Sequence, residues 1–145
     1  MSDRLYQQSI LAAAEAAVGK GRLETADASA TVDNPLCGDR VTVDIAMASG
    51  ERIAQLGHVV RGCLLCEASA SLLAQTAAGR SLTELTRLTR AVRAMLKEAS
   101  SLPAEASAFS IFEPVSAHKS RHDCVLLPLM AFDKAIVALS DTLSD

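Results

Sequence analysis

Apolar and polar positions change period several times along the chain, and each change predicts an element. Residues from Arg4 to about Val18 are rich in Ala, Leu and Gln and predict a helix. Gly19-Lys20-Gly21 would close it, with Gly as left-handed cap and Lys facing the negative helix end. A polar stretch from Arg22 to Ala28 follows, and Ala28 to Val32 fits a short first strand. From Arg40 to Ala48, Val41, Val43, Ile45 and Met47 alternate with Thr42, Asp44 and Ala46, the period of a half-buried strand. Ala48-Ser49-Gly50-Glu51 reads as a hairpin turn, after which Arg52 to Val60 returns as another strand. The sheet should be small and antiparallel.

The second half of the chain is helical in pattern. Leu64 to Ala78 predicts a helix closed by Gly79, and Ser81 with Glu84 offers a capping box for the next one. In that next helix Leu85, Leu88, Val92, Met95, Leu96 and Ala99 share a face. Arg87, Arg90, Arg93 and Lys97 run along another face, either a solvated surface or a docking surface for an acidic partner. Pro103 and Pro114 break up the stretch from Ser100 to Lys119, which predicts an irregular connection with one short helix. The final helix, about Val125 to Leu143, carries Val125, Leu129, Phe132, Ile136, Leu139 and Leu143 as a core stripe. The expected class is α+β, a three-stranded antiparallel sheet packed against a layer of helices, with helices at both termini. No repeat or linker divides residues 1–145, so a single domain is expected.

Composition narrows the function. Half of the 145 residues are apolar, enough for a core without a metal. A net charge of −3 and few aromatics argue against nucleic-acid binding. No apolar stretch is long enough to span a bilayer and Met1-Ser2-Asp3-Arg4 lacks a signal-peptide core, so a cytoplasmic protein without membrane contact is expected. Four cysteines in that compartment point to metal ligands or reactive thiols before disulfides.

The candidate chemistry gathers at three places. Asn34-Pro35-Leu36-Cys37-Gly38-Asp39 is a turn sequence that would hold a thiol and a carboxylate two residues apart at the mouth of a strand. Cys63 and Cys124 each precede a predicted helix, where free N–H groups and the helix dipole favour a thiolate. Three thiols and one carboxylate complete a tetrahedral set for zinc, or one for an iron–sulfur cluster with an exchangeable oxygen ligand. The competing reading is that these cysteines are small buried hydrophobes. Cys66 makes a CxxC with Cys63. A thioredoxin-like pair would need a βαβ setting, which the hairpin pattern does not provide, so a core thiol or a spare resolving thiol remains. His58, His118 and His122 could each be ligands, although a His on a strand or loop is more often packed or surface-exposed.

Asn34 to Asp39, Gly62-Cys63 followed by Ala68-Ser69-Ala70-Ser71, and Cys124 followed by a leucine run resemble the IscU/SufU family, which includes the N-terminal domain of NifU. The resemblance runs from Tyr6 to the last helix. It implies a role in iron–sulfur cluster biogenesis, with Cys37, Asp39, Cys63 and Cys124 holding zinc, or alternatively iron or a [2Fe–2S] cluster. It further implies a cysteine desulfurase as partner, and downstream assembly or apo-target proteins as recipients. Asp39 would then be the labile ligand.

Asp123 stands before Cys124 where IscU-like members have His, Glu113-Pro114-Val115 only partly echoes their chaperone-binding motif, and Arg121 matches the SufU-like pattern. The SufU-like branch is therefore favoured, although His58 and Val60 depart from the aromatic and Gly common before Gly62. On that model the domain is a zinc-binding sulfur acceptor through Cys37, a sulfurtransferase partner of the desulfurase more than a free-standing enzyme. The alternatives are a scaffold assembling a [2Fe–2S] cluster, with Cys124 receiving sulfur, and a structural zinc module, which would normally be closed by four Cys/His ligands without the Asp.

Overall fold

The computed structural model describes residues 3–35 and 38–144. Helix α1 (Asp3–Ala16) leads into three strands, β1 (Ala28–Asn34), β2 (Asp39–Met47) and β3 (Ile53–Arg61). Then come α2 (Leu64–Ala77), α3 (Leu82–Glu98), a run of 3-10 turns over Ala104–Ala117, a further turn at Lys119–Arg121, and α4 (His122–Ser144). The strands form one antiparallel sheet in the order β1-β2-β3. The expected α+β architecture holds.

Register explains how the sheet positions the first chemical residue. Asn34 pairs with Asp39, and the Gly38 N–H donates to the Asn34 carbonyl at 2.8 Å, so the two strands close tightly on the turn between them. Val41, Val43 and Ile45 are fully buried on one face of β2. Asp44 is also buried, although it belongs to the polar set of the alternation. The polar stretch after α1 folds over it: Arg22 Nε and Nη2, Leu23 N and Ser29 Oγ all donate to its carboxylate at 2.6–3.0 Å. Burial pushes that carboxyl's pKa up, and the bonds from Arg22, Ser29 and Leu23 outweigh it and hold the group below its ordinary value.

Two helices differ at their ends from the sequence expectation. Helix α1 stops at Ala16, and Ala17 already has a positive φ of 45°. Gly19 is needed for closeness more than for capping, since a Cβ there would lie 2.6 Å from both Ala74 Cβ and the Leu56 carbonyl oxygen. This close segment extends the β3 edge, with Gly21 N donating to His58 O and His58 N to Gly19 O. Helix α4 starts at His122, so Cys124 lies inside its first turn and not before it.

Helix α2 is buried nearly all round, as befits an element packed on α1, α4 and β3. Helix α3 shows the expected capping box, Ser81 Oγ accepting from Glu84 N and Glu84 Oε1 accepting from Ser81 N. Its buried stripe is Leu85, Leu88, Val92, Met95 and Leu96, while Ala99 serves instead as its left-handed C-cap. Along its cationic face Arg87 pairs with Glu105 and Arg93 with Asp133, which neutralises part of that row. Val125, Leu129 and Phe132 of α4 are fully buried, and Leu139 nearly so. The Leu143 side chain of the expected stripe lies outside the described residues. None of the described helices is long and apolar enough to cross a membrane.

Candidate metal centre

Three separate elements deliver three donors to one point. Asp39 opens β2, Cys63 is the N-cap of α2, and Cys124 lies in the first turn of α4. One donor atom from each lies within 4.8 Å of the other two. Cys63 has extended backbone angles (φ −82°, ψ 174°) and its thiol makes no capping bond, so the sulfur can turn to the site while the backbone starts the helix. Asp39 and Cys124 are 9% and 8% exposed and Cys63 is half-buried, so the cluster opens outward on the Cys63 side. Cys37, the remaining expected ligand, lies outside the described residues.

Gly62 fixes how close the carboxylate comes. A Cβ at Gly62 would lie 3.0 Å from Asp39 Cγ and 3.2 Å from Oδ1. Any side chain there would press on the donor itself. The donor set is chemically coherent for a thiophilic metal: two soft sulfurs beside one harder, more exchangeable oxygen, short by one of a tetrahedral zinc shell.

The other candidates are placed elsewhere. Cys66, one turn into α2, is fully buried in the hydrophobic core. Burial, then the neighbouring Cys63, Asp39 and Cys124, pushes its thiol pKa far up, so it remains a protonated core thiol. His122 is buried, and its Nε2 bonds the Ser116 carbonyl at 3.0 Å, which tethers the ring to the 3-10 run. His58 is buried under the 19–21 segment, with Nε2 bonding the Val18 carbonyl at 2.7 Å. Neither His58, His118 nor His122 joins the three-donor cluster. Beside Cys63 a groove of about 690 Å³ opens between α1, the start of α2 and the 3-10 run, lined by Ile10, Leu64, Pro114, Val115, His118 and Arg121 among others. Leu64 in its wall is 44% exposed. Sequence reasoning missed this groove because it arises where three distant elements meet, and no local period marks it.

Residues 5–119 match the family model described as the NifU-like N-terminal domain. The chain belongs to the NifU-like N-terminal domain family. The matched span holds Asp39 and Cys63 and stops before Cys124. Likeness to a solved NifU-like domain structure extends further. The N-terminal region of a nitrogen-fixing NifU-like protein from Brucella abortus is 34% identical, superposes with a TM-score of 0.89, and covers 96% of both chains. A candidate iron–sulfur cluster assembly scaffold of the SUF system from Fervidobacterium islandicum, 21% identical, shares the fold at a TM-score of 0.83 over 93% of this chain and 98% of that one. Two curated proteins of Archaeoglobus fulgidus, the iron–sulfur cluster assembly scaffold proteins IscU 1 and IscU 2, are each 34% identical over 70 residues. That alignment covers 48% of this NifU-like chain and only 45% of each relative's length.

Proposed function

We propose that this domain serves iron–sulfur cluster assembly, with Cys37, Asp39, Cys63 and Cys124 as its metal-holding set. The observation that carries the reading is the convergence of Asp39, Cys63 and Cys124 in a member of the NifU-like family. In the resting domain the bound metal is zinc, as in the SufU-like branch. When bound, it holds the thiols as thiolates.

The sulfur donor is a cysteine desulfurase carrying a persulfide. Cys63 and Cys124 are tied to the starts of packed helices, whereas Cys37 belongs to the Pro/Gly connection between the paired Asn34 and Asp39. Cys37 therefore leaves the site with least rearrangement. Its thiolate attacks the outer sulfur of the donor persulfide; a new S–S bond forms on Cys37, the donor S–S bond breaks, and the desulfurase thiolate departs. The sulfur then passes to downstream assembly or apo-target proteins. A cytoplasmic setting suits thiols that must stay reduced.

The names of the Archaeoglobus relatives favour a second reading, in which the domain is a scaffold and Cys124 receives sulfur for a [2Fe–2S] cluster built on the same residues. Anaerobic purification followed by metal and sulfide analysis separates the two. Zinc without sulfide is the expected result, with persulfide mapped first to Cys37 after incubation with cysteine and desulfurase. Iron and sulfide in equal amounts, with persulfide first on Cys124, would move the function to the scaffold.

A further inference from the structure

Helix α2 carries two fully buried serines among its apolar residues, Ser69 and Ser71. A hydroxyl in such a place is unfavourable unless bonded, and each of these is bonded to a different element. Ser71 Oγ accepts from Val18 N at 3.0 Å and fastens the end of the α1 connection. Ser69 Oγ donates to the Val125 carbonyl at 2.6 Å, a buried bond between α2 and α4. Ser69 follows Cys63 by six positions on α2, and its bond partner Val125 lies with Cys124 in the first turn of α4. Val125 directly follows Cys124. The two helices that carry the thiols are thus pinned to each other beside the donor cluster.

Helix α4 also carries a proline close to this point. Pro128 has no N–H for the carbonyl four residues earlier, that of Cys124, and its ring crowds that carbonyl. The first turn of α4 therefore lacks the rung that Pro128 would supply, and the Ser69 bond adds a tie at the next carbonyl, that of Val125. Whatever holds Val125 helps fix where the Cys124 sulfur lies.

We propose that Ser69 is a positioning residue, whose bond to Val125 sets the distance of the Cys124 sulfur from Cys63 and Asp39. The proposal rests on the reading that these donors hold a metal, and its test includes a measurement that needs none. Ser69→Ala, Ser71→Ala and the parent are made on a Cys37→Ser background. Ser71→Ala removes an equally buried hydroxyl from the same helix, one bonded to Val18 and not to the helix that carries Cys124, and so reports the purely structural cost.

In the metal-free proteins, diamide oxidises Cys63 and Cys124 to a disulfide; the thiols give up two electrons and two protons, and diamide becomes its hydrazine. Peptide mapping follows the rate. In parallel, Co(II) titration reads the thiolate-to-cobalt charge-transfer band. Ser69→Ala is expected to slow disulfide formation several-fold and weaken cobalt binding about tenfold, a size common for residues that orient ligands. Ser71→Ala is expected to match the parent in both, with a similar loss of thermal stability. Equal effects of the two variants, or parent-like behaviour of Ser69→Ala, would overturn the proposal. A protein with Cys37 intact that binds no cobalt, while its Cys37→Ser form cross-links in a Ser69-dependent way, would sink the metal reading and uphold the positioning role.

Discussion

A single methyl group on residue 62 would intrude on the Asp39 carboxylate. Gly62→Ala is accordingly expected to displace that donor and weaken metal binding about tenfold, with zinc competition against a chelator as the measurement. Asp39→Ala removes the donor outright. The core lies elsewhere, so its thermal midpoint should stay within about 4 °C of wild type. Release of metal or cluster from the site should change by an order of magnitude or more, and wild-type transfer rates would refute the role given to Asp39. Asp39, Cys63 and Cys124 were legible in the sequence because a turn motif and two helix-start contexts mark them locally. Gly62 and Ser69 were not understood there, although both belong to quoted motifs. Their constraints are contacts with residues far along the chain, and only the folded arrangement defines them.

Among the elements, strands and capped helices were the readable parts. Alternation in β2 and the Ser81–Glu84 box state their structure within a few residues, and both formed as expected. Ser81→Ala should cost about 1 kcal/mol in urea unfolding, with the site unaffected. Helix ends were less legible. Helix α4 begins at His122, with Lys119–Arg121 forming a 3-10 turn just before it. The stretch over Ala104–Ala117 winds as 3-10 turns around buried Phe109 and Phe112, whose ring centroids are 6.0 Å apart. Two anchoring aromatics and Pro114 give no helical period of the usual kind, which is why the pattern suggested an irregular connection with one short helix.

At the scale of the whole molecule, each edge strand of the sheet is tied to another segment, β1 through Lys134 of α4 donating to the Thr31 carbonyl and β3 through the 19–21 segment paired at His58. Burial lowers the pKa of His58; the bond to Val18 O and the charge of Glu67 raise it and that of Lys20 lowers it, with a net fall. A lowered folded value means that the unfolded chain takes up the proton first. The stability from neutral His58 is complete above about pH 6.5, the unfolded value, and is lost as pH falls through the folded one. Thermal midpoints measured from pH 8 to about 5 should drop further for wild type than for His58→Gln.

Cys124, finally, belongs to a helix whose Val125, Leu129 and Phe132 also fill the centre of the core. During synthesis the sheet and α2 emerge well before this helix, and with them Asp39 and Cys63. A ribosome-bound chain lacking α4 is thus short of both its packing and a donor. On the metal-holding role proposed above, the three-donor cluster is complete only once α4 has joined the sheet and α2.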